Sequence, residues 1–210
     1  MPQLKIGVLI SGSGTNLQSI IDNIEKGQIN GKIAVVISNK SDAYGLERAS
    51  QHNIDNVFVS QKKYENFEAY NDALIEELEK HGVEVIVLAG YLKILSSKFI
   101  ETYRNRIINI HPSLIPSFCG KGYYGLKVHE AAINYGVKLS GATVHFVDED
   151  ADTGPIIIQE SVLVDHDDTA ETLQKKILKI EHKILPLAVK YFCEGKIEVT
   201  GRKVRINFDL

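Results

Sequence analysis

The stretch 5–24, KIGVLISGSGTNLQSIIDNI, decides the fold. Residues 5–10 form a short apolar run, and Ser11-Gly12-Ser13-Gly14-Thr15 breaks it. From Asn16 the apolar spacing changes. Leu17, Ile20, Ile21 and Ile24 fall on one helical stripe. The chain therefore opens with a strand, a glycine-rich turn and a helix, the first unit of a parallel α/β sheet.

The same alternation continues. Strands are expected at 32–38, 56–60, 83–88 and 106–109. Helices are expected at 44–52, 67–80 and 97–103. Tyr70, Ala73, Leu74 and Leu78 line one side of the 67–80 helix. After residue 111 the rhythm changes. A glycine- and aromatic-rich loop, FCGKGYYG, spans 118–125, and a helix follows at 126–135. Strands at 141–147 and 155–164 are joined by the acidic loop DEDADTG, 148–154. So short a connection implies antiparallel pairing. A long helix from 169 to about 192 and a last strand at 203–207 close the chain. The expected fold is α/β: one mixed, mostly parallel twisted sheet flanked by helices, with a Rossmann-like first half. With no repeat or long linker, 1–210 reads as a single domain. Its 1–110 half carries the glycine turn and its 111–210 half carries the loops.

Composition narrows the function. The chain has 210 residues, 44% hydrophobic and 24% charged, within the globular range. A net charge of -3 without a basic block argues against nucleic-acid binding by charge neutralisation. No apolar run reaches membrane length, and the start lacks a secretory pattern. Two cysteines, Cys119 and Cys193, in a chain without that pattern fit free thiols in a cytoplasmic setting. The expectation is a cytoplasmic monomer or homodimer acting on small molecules.

The SGSGTN turn has two readings. A glycine-rich loop opening a helix offers backbone N–H groups and the positive end of the helix dipole to an anion. Thr15 and Asn16 would add side-chain donors. The alternative is an ordinary turn with a Thr or Asn helix cap. A dinucleotide site fits poorly, because Leu17 stands where a third small residue belongs. No lysine follows the glycines, so it is not a P-loop. A phosphate monoester fits better.

The second stretch with chemistry is RIINIHPSLIPSF, 106–118. Asn109 and His111, two apart in a strand, share a face. Pro112 keeps His111 extended, so its ring is presented at the carboxyl end of the strand. Open α/β sheets bind ligands there. The alternatives are a capping asparagine and a satisfied core histidine. The acidic loop is a poor calcium site, with Thr153 at the sixth position and Gln159 at the twelfth. One of its carboxylates could buttress His111, but spacing does not choose which. On the long helix Leu173, Ile177, Ile180, Ile184 and Ala188 define an apolar face, and Glu181 falls inside it. An acid there must be paired internally or line a pocket. His182 should point to solvent. His145 reads as a core strand residue, and His129 lies just after the aromatic loop. No histidine or cysteine spacing suits a metal, and no nucleophile elbow appears. Cys119 reads as a loop thiol without a role.

Five motifs in order, SGSGTNLQ (11–18), VLAGYLKIL (87–95), NIHPSLIPSF (109–118), HFVDEDADTGPII (145–157) and EHKILPLA (181–188), resemble those of the phosphoribosylglycinamide formyltransferase family. The resemblance implies the formyltransferase fold. It also implies transfer of a formyl group from 10-formyltetrahydrofolate, a co-substrate, to the amine of 5-phosphoribosylglycinamide in purine synthesis, without a metal. It matches Asn109, His111 and Asp152 to the catalytic trio. Gly14, Thr15 and Asn16 match the loop holding the ribonucleotide phosphate, and Glu181 a further contact to that substrate. Leu92, Lys93, Ile94 and Leu95 match the folate segment, with Asn109 and the backbone from Val147 to Asp152 beside it. A cis peptide before Pro116 is implied as well. In this reading Asp152 raises the pKa of His111 and keeps it charged. Phe67 stands where members often carry a basic residue near the folate tail, and the 118–128 loop is longer than in many. Related tRNA formyltransferases and formyltetrahydrofolate deformylases carry an extra domain for which this chain has no room. The alternatives are hydrolysis of the formyl group, transfer to another amine, or a folate- or nucleotide-binding module without turnover.

Overall fold

A computed structural model of the chain describes residues 3–208. Strands β1 (Leu4–Ile10), β2 (Gly31–Ser38), β3 (Asn56–Phe58), β4 (Val85–Leu88) and β5 (Ile107–His111) alternate with helices. These are α1 (Thr15–Glu25), α2 (Tyr44–Gln51), α3 (Phe67–Lys80) and α4 (Ser97–Thr102), with a short 3-10 turn at Gln61–Lys63. Then come α5 (Leu126–Tyr135), β6 (Leu139–Phe146), β7 (Ile156–Leu163) and α6 (Ala170–Cys193). The strands β8 (Ile197–Thr200) and β9 (Lys203–Ile206) follow.

Seven strands form one sheet in the order β3-β2-β1-β4-β5-β6-β7. The pairs from β3 to β5 are parallel. Those joining β5, β6 and β7 are antiparallel. The sheet is mixed and mostly parallel, as expected. The end of the chain differs. Instead of one closing strand there is a separate hairpin, β8 with β9. The four residues of β8 are too short a run to stand out from the helix end before them.

Period 2 places the core. Along β1, Ile6, Val8 and Ile10 enter the apolar layer shared with α1 and α6. Leu9 enters the opposite layer with Tyr70, Leu74 and Leu78 of α3. Gly7 lets α3 close onto the sheet, since a Cβ there would lie 2.6 Å from Leu78 Cδ2. On α6, Leu173, Ile177, Ile180, Ile184 and Ala188 are buried as one stripe. Thr169 caps α6, accepting from the N–H of Thr172 while Thr172 reciprocates.

The strand order reverses between β1 and β4. In an open α/β sheet the crevice at that reversal, beyond the carboxyl ends of the strands, is where ligands bind. The glycine turn leaves β1 there, the 89–95 segment leaves β4, and His111 ends β5. Among the described residues no helix is long and apolar enough to cross a membrane.

Candidate active site

The glycine turn is shaped from outside. Gly14 caps α1 in the left-handed conformation, φ 71° and ψ 28°, and no side chain caps the helix. A Cβ on Gly14 would sit 2.7 Å from the Cα of Gly45, so glycine is required by both conformation and contact. The amide of Gly45 donates to the Gly12 carbonyl at 3.1 Å. Arg48 Nε donates to the Ser13 carbonyl at 2.8 Å. With its carbonyls held by α2 and its helix start uncapped, the turn fits an anion site. The Thr or Asn cap is excluded, because both residues lie inside the first helical turn.

Asn16 corrects a second expectation. It offers no side-chain donor at the turn surface. It is buried, and its Nδ2 donates to Glu181 Oε2 at 2.6 Å. Its Oδ1 is also sealed from solvent and has no partner. Glu181 is 8% exposed, and burial pushes its carboxyl up to about 7 against the lowering effect of Asn16. The acid on the apolar face is therefore tied to the glycine turn by an amide, not by an ion pair. Thr15 lies half-buried at one end of a cavity of about 370 Å³ along α1 that Arg48 and His182 also line. His182 is half-buried, with Nε2 sealed and unpartnered, and burial lowers its pKa. The expected solvated face is not what α6 presents there.

At the end of β5, Asn109, His111 and Asp152 come together. His111 is 5% exposed. Its Nε2 donates to the Phe118 carbonyl at 2.9 Å, and its Nδ1 lies 3.4 Å from Asp152 Oδ2. Asp152 Oδ2 also accepts the N–H of Gly120 at 2.9 Å. Asn109 Nδ2 lies 3.5 Å from Asp152 Oδ1 and 3.1 Å from His145 Nε2. His145 Nδ1 donates to the Phe146 carbonyl at 2.8 Å. His145 Nε2 is thereby set between Asn109 Nδ2, at 3.1 Å, and Asp152 Oδ1, at 3.6 Å, so the imidazole packs against both groups. Sequence reasoning read His145 as core. It is buried, but the β5–β6 register sets it directly across from Asn109.

Asp152 has φ 59°, the left-handed region that few non-glycine residues adopt. Its loop is built to hold that conformation. Arg202 of the terminal hairpin donates to the Thr153 carbonyl at 2.7 Å. Thr153 Oγ1 donates to Asp148 Oδ1. Gly154 follows because a Cβ there would lie 1.8 Å from the Phe146 carbonyl oxygen. The loop leading from His111 carries the cis peptide Ile115–Pro116.

The electrostatics revise one expectation. Burial lowers the pKa of His111, and this outweighs the raising effects of the Asp152 carboxylate and the Phe118 carbonyl. The Asp152 carboxylate therefore does not lift the His111 pKa above its ordinary value. For Asp152, burial pushes upward, but His145, His111 and the Gly120 N–H together bring the carboxyl below its usual range. His129 is also buried beside this cluster, its pKa lowered to about 4 by burial and by His111. Cys119 lies near Asp152, and burial and that carboxylate both raise its thiol pKa.

The residues expected on the folate side divide. Leu92 and Ile94 are 54% and 72% exposed, and Lys93 is exposed between them. Leu95 turns into the core with Phe99 instead. Val147 is half-buried, its N–H on the Ile107 carbonyl at 2.9 Å. Leu92 and Ile94 are large apolar side chains left in solvent on the segment that follows β4.

The family pattern described as "Formyl transferase" matches residues 4–189. This chain belongs to the formyl transferase family. It is 45% identical over 195 residues to the phosphoribosylglycinamide formyltransferase of Haemophilus influenzae, covering 93% of this chain and 90% of that one. It superposes on glycinamide ribonucleotide transformylase 1 from Symbiobacterium toebii with a TM-score of 0.93 and 46% identity, covering 98% of this chain and 94% of that one. A formyltetrahydrofolate deformylase from Pseudomonas syringae pv. tomato shares the fold at 29% identity and a TM-score of 0.88. This formyl transferase covers 98% of its own length there, and 66% of the deformylase.

Proposed function

We propose that this chain transfers the formyl group of 10-formyltetrahydrofolate to the amine of 5-phosphoribosylglycinamide, in the cytoplasm and as a step of purine synthesis. The observation that carries this is the convergence of Asn109 and His111 on one carboxylate, Asp152, at the end of β5. An amide, an imidazole and an acid in one place suit a tetrahedral oxyanion and its proton traffic. The uncapped turn around Gly14 and Thr15 suits the phosphate monoester. Asn16 and Glu181 stand beside it for the sugar hydroxyls. The segment of Leu92, Lys93, Ile94 and Leu95, with Val147 and Asn109 beside it, takes the folate. Its exposed apolar side chains at Leu92 and Ile94 support that reading.

In this mechanism the substrate amine attacks the formyl carbon and negative charge develops on the formyl oxygen. Asn109 turns an N–H to that oxygen. The same charge raises the pKa of His111, against the burial that lowers it. The imidazole takes a proton from water as that charge develops, pairs with the oxyanion, and returns the proton to water when the intermediate collapses. Asp152 is already ionised and accepts the amine proton through water for delivery to the departing folate nitrogen. No metal and no covalent enzyme intermediate is used.

The test is a formyl-transfer assay with purified chain and both substrates. Formylated ribonucleotide should accumulate as the folate loses its formyl group. The second reading, hydrolysis of the formyl group, is motivated by the likeness to the deformylase. Release of formate at the same rate without the ribonucleotide would establish that reading instead.

A further inference from the structure

Ser11 is the first residue after β1, and its side chain is not part of any chemistry described above. It is 2% exposed, and both capacities of its hydroxyl are used. Oγ donates to Asn39 Oδ1 at 2.6 Å and accepts the backbone N–H of Leu92 at 2.9 Å. One buried hydroxyl thus ties together the loops that follow β1, β2 and β4.

The segment after β4 has little else to hold its main chain. Gly90 is in the left-handed region at φ 78°. Leu92, Lys93 and Ile94 are exposed. Among the described residues, the Leu92 N–H is the only backbone group of residues 90–94 with a hydrogen-bond partner. Side chains anchor the two ends, where Tyr91 meets the hydroxyl of Tyr70 at 2.6 Å and Leu95 enters the core. The glycine turn, by contrast, is held independently by Gly45 and Arg48 of α2. Loss of the Ser11 hydroxyl should therefore loosen the segment after β4 and leave the glycine turn in place.

We propose that Ser11 is a positioning residue that sets the folate-side segment 91–95 against the phosphate turn, and so determines folate affinity without touching either substrate. This rests on the proposed formyl transfer. Asn39 completes the device by holding the hydroxyl hydrogen, which directs an oxygen lone pair at Leu92. Because each substrate would meet a different one of the two joined segments, the effect of Ser11 is asymmetric between them.

The experiment compares wild type, Ser11→Ala, Asn39→Ala and Asn39→Asp in steady-state formyl transfer, with hydrogen exchange of the Leu92 amide. Ser11→Ala should raise the folate KM by about fivefold to tenfold, the factor that one lost buried hydrogen bond represents. The ribonucleotide KM should stay within about twofold. Exchange at Leu92 should accelerate while β4 amides keep their protection. Asn39→Ala should act in the same direction, and Asn39→Asp, which retains an acceptor, should behave as wild type. If Ser11→Ala fails to fold, the Asn39 pair decides on the same readouts. Equal rises in both KM values, or unchanged exchange at Leu92, would overturn the assignment. Wild type without formyl transfer would remove the underlying functional reading, and this inference with it. Wild-type transfer with an unaltered folate KM in the variants would remove this inference alone.

Discussion

Replacing Glu181 with glutamine should make the protein more stable, and only above a defined pH. Glu181 is buried against Asn16, and its carboxyl is raised from 4.5 to about 7, chiefly by burial. The folded chain therefore holds this proton to higher pH than the unfolded chain does. Between pH 4.5 and 7 the folded state binds more protons, so stability falls as pH rises through that window. The contribution is complete below the unfolded value and gone above the folded one. At about 1.4 kcal/mol per pH unit, the ionised carboxylate costs about 3 kcal/mol at pH 8. Glutamine cannot ionise, yet its carbonyl still accepts from Asn16 Nδ2. Urea unfolding of wild type and Glu181→Gln at pH values from 4.5 to 8 measures the difference. The curves should meet at the acid end, and the variant should be more stable by about 3 kcal/mol at pH 8. Parallel profiles across this range would refute the argument that burial, with one amide as partner, sets this acid. The same variant should bind the ribonucleotide more weakly, since the carboxylate is then missing where sugar hydroxyls would need an acceptor.

Other outcomes follow from the geometry. Asn109→Ala and His111→Ala should each lower kcat by about two to three orders of magnitude, as loss of an oxyanion donor does, and near-wild-type turnover would contradict the assignment. Asp152→Asn should lower kcat and, by removing the charge that raises the His111 pKa, shift that histidine further down, which NMR titration of the ring would register. Gly14→Ala should cost about 1 kcal/mol from the left-handed backbone alone, and more because a Cβ there meets the Cα of Gly45. Thermal melting and the Kd for a phosphate monoester should both worsen. Arg202→Ala removes the bond to the Thr153 carbonyl and should lower kcat more than it changes either KM, because it loosens the loop that aims Asp152.

Most of the sheet was legible because period 2 and period 3.6 are local. The run from Lys5 to Ile24 announces strand, turn and helix without reference to anything distant. Glu181 was conspicuous for the same reason, as a charge on a helix face whose other members are aliphatic. The short β8 was missed because four residues carry too few periods to be read and are defined by their pairing with β9. The turn at Gly14 could be read as anion site or ordinary cap, and only the tertiary structure, in which no side chain caps α1, removes the cap reading.

The site divides along the same line. Asn109 and His111 share a face by strand geometry alone, and Pro112 places them at a strand end. Which carboxylate meets them is a tertiary fact, since Asp152 arrives from a loop after β6, held by Arg202 from the far end of the chain. His145 meets Asn109 only because the β5–β6 register sets them opposite each other. The charge on His111 was misjudged for a related reason. Sequence names the neighbouring acid, but not how completely the ring is removed from water, and here that desolvation is the larger effect. The amino-acid order by itself determined the alternating α/β framework, the shared face of Asn109 and His111, and the misplaced acid at Glu181. The partners of those residues and their protonation belong to the tertiary structure, because both depend on distances between segments far apart in the chain.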